Sequence, residues 1–181
     1  MKTDLKIKSL LLGATFLTVG YVSAQTEQNT TATQQVQTAQ SSSPEIEALQ
    51  KQIAAKPDDT QALVGLATAF QNAGDYASAI TTWNKITALI PDWAPAYYSI
   101  GYANQAAKNT DAAKSAYEQY IAKVKPAEVE ANKQNLAYAY FFIAFMDKDS
   151  NPEKAKQYIA KSLQYDNSNQ DALTLSKSLM N

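Results

Sequence analysis

Three residues of this chain have the spacing of a metal site: Asp147, Asp149 and Asn151. They match the first, third and fifth positions of a calcium-binding loop, which supply oxygen ligands. That loop has glycine at its sixth position and a bidentate glutamate at its twelfth, where this chain has Pro152 and Tyr158. A polar turn, in which Asn151 caps a helix that starts at Pro152, explains these residues better. We therefore expect no metal ion and no other cofactor.

General acid–base and nucleophilic catalysis have few candidate residues in this chain. It contains no cysteine and no histidine, so these roles would fall to carboxylates, lysines or tyrosines. Most carboxylates stand where predicted helices begin, and there they cap the helix or interact with the positive end of its dipole. The residues in such positions are Asp58, Asp59, Asp75, Asp92, Glu128 and Glu153. The sequence therefore predicts a protein that is not an enzyme.

Charge and composition narrow the classes of partner. All 16 basic residues are lysines, and the formal net charge is −1. Arginine, whose planar guanidinium suits phosphate groups, is absent, so we expect no nucleic-acid partner. A length of 181 residues allows one domain, and the low content of five glycines and six prolines favours helices over a turn-rich all-β fold.

Residues 1–24 have the pattern of a secretory signal peptide. Lysines precede an apolar run from Leu10 to Val22, and Val22-Ser23-Ala24 resembles a small-residue cleavage site. We expect cleavage after Ala24 and a periplasmic or secreted protein. The alternative is an uncleaved N-terminal segment that anchors the protein. No later stretch approaches the length and apolarity of a membrane span, so the mature chain is not expected to cross a bilayer.

The remainder of the chain divides into two regions of different composition. Residues 25–43 are mostly glutamine, threonine and serine, which bury too little apolar surface to offset their ordering entropy, so we predict a disordered linker. From Pro44 onward apolar residues recur with a helical period, and turn signals such as Gly74-Asp75 separate eight helices. Because the connections are short, neighbouring helices should be antiparallel. The prediction is an all-α domain over residues 44–181.

A repeat of 34 residues runs through this domain. The offset aligns Pro57 with Pro91, Leu63 with Tyr97, Ala67 with Gly101, Ala79 with Ala113, and Trp83 with Tyr117. Small residues at aligned positions let two helices approach closely, and large apolar residues fill the space between successive helix pairs. One pair alone would leave its apolar face exposed, so the pairs must stack.

A third unit is present in altered form. Ala113 and Ala155 are 42 residues apart, which is eight more than one period. We expect the additional residues, near Val124 to Asn135, to lengthen the first helix of that unit at its start. Residues 44–55 align with the second helix of a repeat and should cap the front of the array. Residues 169–179 should form the last capping helix, with one polar face toward solvent.

This pattern resembles that of the tetratricopeptide-repeat (TPR) family, in which an aromatic residue, Leu-Gly and Tyr are followed by Ala, Phe and Pro. The matching residues of the first unit are Leu63, Leu66, Ala67, Phe70, Ala79, Trp83 and Pro91. The stretch from 72 to 80 is also close to that family's inter-helix turn. The resemblance implies a short solenoid of about three repeats, at approximately 60–93, 94–127 and 128–167, between an N-terminal half-repeat and the capping helix.

In this family the first helices of successive units line a concave groove. The resemblance places there Gln61, Val64, Thr68 and Gln71 of the first unit, Tyr98, Tyr102 and Gln105 of the second, and Tyr138, Phe141 and Phe145 of the third. Such a groove would receive a peptide, a helix or a sugar chain. The alternative is that these aromatic residues are core. We favour the core interpretation for Phe141 and Phe145, buried by the last helix, whereas both interpretations stay open for Tyr98 and Tyr102.

The resemblance implies an exported scaffold or adaptor that binds a protein or peptide partner through the groove. Some family members grip a C-terminal carboxylate with Lys, Asn and Arg, but Val64 and Thr68 occupy the matching positions here, so that mode is not expected. Two alternatives are a glycan- or cell-wall-binding module and a structural subunit of an envelope-associated complex. The identity of the partner, use of the convex face and the oligomeric state are left open.

Overall fold

The computed structural model describes residues 43–180, which form eight α-helices and two short 3₁₀ turns. The α-helices are α1 (Pro44–Ala55), α2 (Thr60–Asn72), α3 (Tyr76–Leu89), α4 (Ala94–Ala106), α5 (Thr110–Lys123), α6 (Lys133–Asp147), α7 (Pro152–Tyr165) and α8 (Gln170–Met180). The 3₁₀ turns, Pro126–Glu128 and Glu130–Asn132, lie between α5 and α6. The predicted all-α architecture with eight helices is confirmed for the described part of the chain.

Polar side chains define where five of these helices begin. The side-chain oxygen of each capping residue accepts a hydrogen bond from the backbone N–H three residues later, at 3.0 to 3.3 Å. The five caps are Ser43, Asp59, Asp75, Asn151 and Asn169. Each bond satisfies an N–H group that has no partner inside its helix.

The turns that end α2 and α4 share a backbone form but differ in the residue at the left-handed position. Gly74 has a φ of 76° and Lys108 a φ of 64°. In both turns the following residue donates its N–H to a carbonyl five residues earlier, at 2.9 and 2.8 Å. Glycine adopts this conformation without steric cost, whereas lysine does not, so only the first turn has the favoured residue.

The helices stack as antiparallel pairs. Each α-helix packs against the next one along the chain, so that α2–α3, α4–α5 and α6–α7 form three units. α1 packs in front of the first unit and α8 behind the third. Three groups of buried side chains overlap along the stack: the first joins α1 to α5, the second α4 to α6, and the third α6 to α8. This arrangement confirms the predicted solenoid.

The additional residues before the third unit lengthen its first helix at the start, as predicted, but only in part. α6 has 15 residues, against 13 in α2 and α4, and it begins at Lys133, four residues before the equivalent of Ala94. The other additional residues form the two 3₁₀ turns instead of helix. Two features account for the difference. Pro126 has no N–H to donate to a continuing helix. Asn132 uses its side chain instead, donating to the carbonyl of Glu128 at 2.8 Å and accepting from the Tyr120 hydroxyl at 3.2 Å.

The predicted signal peptide, residues 1–24, and linker residues 25–42 lie outside the described residues, as does Asn181. Among residues 43–180, no helix combines the length and apolarity that a membrane crossing requires.

Candidate functional site

The first helices of the three units, α2, α4 and α6, carry the residues predicted to line the groove. Equivalent positions lie 34 residues apart between α2 and α4, and 43 apart between α4 and α6. Two rows result: Val64, Tyr98 and Phe141 form the first row, and Thr68, Tyr102 and Phe145 the second. Helices α2 and α4 contain no charged residue. We call the surface that these two rows follow the groove face.

The second row provides the exposed aromatic part of the groove face. Tyr102 is 45% exposed and Phe145 is 47% exposed. Thr68, at the equivalent position of the first unit, is half-buried, and Gln61 on the same helix is exposed. Two large rings therefore face water at equivalent positions of successive units, as a surface that binds a partner through aromatic contacts would require.

Tyr98, in the first row, is half-buried and packs against the core. Its ring packs edge-on against the fully buried rings of Tyr117 and Tyr120, at centroid distances of 5.5 and 5.2 Å. Burial raises the pKa of the Tyr98 hydroxyl far above its ordinary value, and the hydroxyls of Tyr138 and Tyr102 add smaller contributions. Of the two interpretations left open by the sequence, packing applies to Tyr98 and exposure to Tyr102.

The two phenylalanines of the third unit have different surroundings. Phe141 is half-buried and packs against the cluster that includes Ala172 and Leu175 of α8. Phe145 is exposed instead, and the Lys148 ammonium lies 4.4 Å from its ring centroid. The expectation that the last helix buries both rings is therefore wrong for Phe145. The buried face of α8 is short and covers only the first of two rings that lie one helical turn apart.

Gln71 and Gln105, also predicted to line the groove, already have partners inside the protein. The side-chain oxygen of Gln71 accepts from the Trp83 indole N–H, and that of Gln105 accepts from the Tyr117 hydroxyl at 3.1 Å. Each partner lies 12 residues further along the chain, so the same bond between first and second helix recurs at the 34-residue period. The 34-residue spacing of Gln71 and Gln105, and of Trp83 and Tyr117, could have indicated this hydrogen bond from the sequence. Our sequence analysis placed both glutamines in the groove and did not predict the bond.

Gln105 also connects the second unit to the third. Its amide nitrogen donates to the Tyr138 hydroxyl at 2.6 Å, and its amide oxygen lies 2.9 Å from the same hydroxyl. From Tyr138 a row of ring contacts continues along α6 to Phe141 at 6.4 Å and then to Phe145 at 6.3 Å between centroids. The exposed Phe145 ring is thus the end of a packed aromatic row.

Asp147 is the only charged residue that is buried among residues 43–180. Its carboxylate contacts the ammonium groups of Lys114 on α5 and Lys154 on α7, the latter at 3.4 Å. Lys154 also pairs with Glu118 at 2.8 Å. These contacts tie the second unit to the third. The carboxylate with calcium-like spacing therefore serves an ion-pair network, and the described residues contain no group of acidic side chains arranged for a metal ion.

Comparison with known proteins agrees with this architecture. Residues 39–110, which include α1 to α4, match a tetratricopeptide-repeat family model. No curated protein matches the sequence.

Several solved structures are similar to this chain. The C-terminal part of a TPR repeat-containing protein from Cytophaga hutchinsonii has a TM-score of 0.64 and 25% identity, and the match covers 72% of this chain and 52% of that one. This chain thus spans about half the length of that structure. MamA, residues 41 to end, from Desulfovibrio magneticus RS-1 has a TM-score of 0.56 and 20% identity, with coverage of 83% and 92%. The Cut9–Hcn1 hetero-tetramer of the APC/C has a TM-score of 0.55 and 22% identity, with coverage of 75% and 26%.

At such identities the last two matches show the fold alone. The stacked antiparallel pairs, the 34-residue period and the family match nevertheless agree with one another. The described part of the chain has the fold of a short tetratricopeptide-repeat solenoid.

Proposed function

We propose that the protein is an exported scaffold that binds another protein on its groove face. The observation that carries this proposal is the exposure of two aromatic rings, Tyr102 and Phe145, at equivalent positions of successive units. Core contacts hold the side chains beside them, Tyr98, Tyr138 and Phe141. The side chains around the exposed rings are therefore already ordered, so a partner that covers the rings loses little free energy to the ordering of this surface.

The chemistry of the groove face describes the partner that would fit. Helices α2 and α4 offer no charge. At the first unit the exposed Gln61 and the half-buried Thr68 are polar, and the half-buried Val64 between them is apolar. Toward α6 the surface becomes aromatic, and the Lys148 ammonium lies 4.4 Å from the centroid of the Phe145 ring. A fitting partner has uncharged polar groups opposite α2 and apolar side chains opposite α6, on an extended peptide or on one face of a helix.

Truncation of the two exposed rings tests this proposal. The Tyr102→Ala, Phe145→Ala double variant is used in affinity capture from the native host, with partners measured by quantitative mass spectrometry. Because aromatic anchors commonly contribute about 2 kcal/mol or more, we expect capture to fall about 30-fold. Thermal unfolding should change little, because both rings are nearly half exposed. Tyr98 is left intact because its ring packs against the buried rings of Tyr117 and Tyr120.

The matched control is Leu89→Ala. Leu89 is 46% exposed, as exposed as the two rings, but lies at the end of the second helix α3. It should leave capture unchanged. Full capture by the double variant with normal melting would move the contact surface away from the groove face. Loss of binding to cell-wall glycan, with no protein captured, would favour a glycan-binding module. Co-fractionation in a large complex that survives the double substitution would favour a structural subunit.

Export is the second part of the proposal, and its support is in the sequence. The lysine-led apolar run from Leu10 to Val22 and the Val22-Ser23-Ala24 site have the order of a signal peptide. We expect the mature chain to begin at Gln25 and to be periplasmic or secreted. Mass measurement of the protein purified from its native host tests this. A chain that still begins at Met1 would contradict cleavage and would favour the anchored alternative.

A further inference from the structure

The outermost helices of the described chain are complementary halves of a repeat. α1 aligns with the second helices α3 and α5, and it packs on α2 as α3 packs on α4. α8 aligns with the first helices: four-residue connections precede α2, α4 and α8. Each of these helices buries an alanine at its third position, namely Ala62, Ala96 and Ala172. Among residues 43–180, no first helix pairs with α1 and no second helix pairs with α8.

On α8, the face that a second helix would cover carries Leu173, Lys177 and Met180. The alignment of Ala172 with Ala96 makes Lys177 the equivalent of Gly101. A Cβ added to Gly101 would lie 2.7 Å from the Tyr117 ring, so Gly101 lies where the first and second helices of its unit touch. Lys177 therefore lies where a second helix would touch α8. The spacing of four and three residues puts the three side chains on one stripe. Leu173 is 40% exposed and Met180 is 72% exposed. Both apolar side chains are therefore open to water beside one positive charge.

On α1, the corresponding stripe is Glu45, Leu49 and Gln52. Their equivalents on α3 are Ala79, Trp83 and Ile86, all of which are buried. In α1, by contrast, Leu49 is half-buried, and the other two side chains are exposed. This stripe has one apolar residue beside one negative charge, which is opposite in sign to the charge of Lys177 on α8.

We propose that α8 of one copy of this chain pairs with α1 of a second copy, so that the two helices complete a composite repeat. Within the second unit Gly101 lies opposite Tyr117. Lys177 is the equivalent of Gly101 and Leu49 is the equivalent of Tyr117, so the same antiparallel arrangement puts Lys177 opposite Leu49. Leucine is smaller than tyrosine, which leaves space for the lysine stem. Glu45 is one helical turn from Leu49 and is within reach of the Lys177 ammonium. In the same register Leu173 lies opposite Gln52 and Met180 opposite Glu45, and the aliphatic parts of these two polar side chains cover part of the exposed apolar surface.

The resulting contact joins unlike surfaces, so copies add head to tail rather than as a closed pair. Each added copy continues the stacking direction, and successive groove faces align along the assembly. The contact is a single helix pair of 11 and 12 residues, so its area is small. Interfaces below about 1,200 Å² are typical of weak encounters, so association appears only at high concentration or where a partner gathers several copies.

Charge reversal tests the ion pair that sets the register. Sedimentation velocity of the protein as the cell produces it, up to about 1 mM, should show weight-average mass rising with concentration. Lys177→Glu and Glu45→Lys should each weaken association about fivefold, because each puts like charges together. The Lys177→Glu, Glu45→Lys double variant should recover it. Lys161→Glu, an exposed position on α7 away from both stripes, is the matched control and should change nothing.

Cross-linking identifies the two faces directly, because the chain has no cysteine of its own. Equal amounts of a Lys177→Cys variant and a Glu45→Cys variant are mixed and treated with a short thiol cross-linker. The expected product is the mixed dimer in excess over the two homodimers. A mass that stays monomeric at every concentration would overturn the proposal, as would statistical cross-linking or a double charge reversal that fails to restore association. In that outcome the two stripes serve only as solvated ends of the solenoid.

Discussion

Replacement of Gly101 by alanine tests the packing between the two helices of a unit. The new Cβ would lie 2.7 Å from two carbons of the Tyr117 ring and 3.0 Å from a third. That ring has little freedom to move, because it is fully buried and its hydroxyl donates to Gln105 at 3.1 Å. Its other neighbours are Tyr98, Tyr138 and Phe142, with centroids 5.1 to 5.9 Å away.

Two opposing effects decide the change in the free energy of unfolding. Alanine in a helix interior is more favourable than glycine by about 0.5–1 kcal/mol. Overpacking of a well-filled core costs about 1–3 kcal/mol. Because the obstructing atoms belong to a fixed ring rather than to a flexible chain end, the second effect should exceed the first. We expect Gly101→Ala to lower the free energy of unfolding by about 1–2 kcal/mol.

Gly65→Ala is the matched control. Its added Cβ would meet only the tip of Leu49, at 3.2 Å, and Leu49 is a half-buried side chain on the outermost helix α1. That contact can relax, so the helix preference of alanine should dominate and raise the free energy of unfolding by up to about 1 kcal/mol.

Urea unfolding followed by circular dichroism measures both variants, whose midpoints should move in opposite directions without a change in m value. The same substitution in a variant with a smaller side chain at position 117 tests whether the Tyr117 ring is the obstruction. Ala144 and Ile159, both fully buried, occupy the equivalent positions of the third unit. Gly101→Ala should therefore cost less when Tyr117→Ile is also present. If Gly101→Ala proved as stable as Gly65→Ala, the assignment of Gly101 to the helix seam would be refuted.

Two further predictions concern titration and the buried carboxylate. Burial raises the pKa of Tyr98, Tyr117 and Tyr120 above the ordinary value of 10.0, so the folded chain retains protons that the unfolded chain releases. The free energy of unfolding should therefore fall as the pH rises above 10. Phenolate absorbance should show that these three tyrosines ionise only when the protein unfolds. Ionisation of every tyrosine near pH 10 in the folded protein would contradict this prediction. Asp147→Asn should lower the free energy of unfolding by about 1–3 kcal/mol in urea, less than for a fully buried pair because its two lysine partners stay partly hydrated. The exposed neighbour Asp149 serves as control, and equal stability of Asp147→Asn and Asp149→Asn would argue against the ion-pair network.

The sequence alone was sufficient for the fold, because the features that define it are local and repeated. Each helix has an apolar period and most have a polar cap or a turn at their ends, such as Asp75 after Gly74. The alignment of Ala67 with Gly101 and of Trp83 with Tyr117 indicates which positions meet in every unit. A stack of similar units repeats the same contacts, so one correct period predicts the whole array.

The irregular third unit shows where this local information ends. The spacing of Ala113 and Ala155 showed that residues had been added between them. The structure of the added residues depends on contacts that have no equivalent in the other units, so the repeat pattern does not predict it. The hydrogen bond from Tyr120 to Asn132 joins α5 to the connection before α6. Asp147, which the spacing assigned to a polar turn, is buried and contacts lysines from two neighbouring helices.

Only the tertiary structure decided which residues of the groove face are available to a partner. Tyr98 and Tyr102 lie on the same side of one helix, so periodicity treats them alike. The rings of Tyr117 and Tyr120 on α5 cover the first and leave the second exposed. For the same reason α8 packs against Phe141 but leaves Phe145 open to water. Position along a helix sets the direction of a side chain, whereas its burial depends on helices distant in sequence.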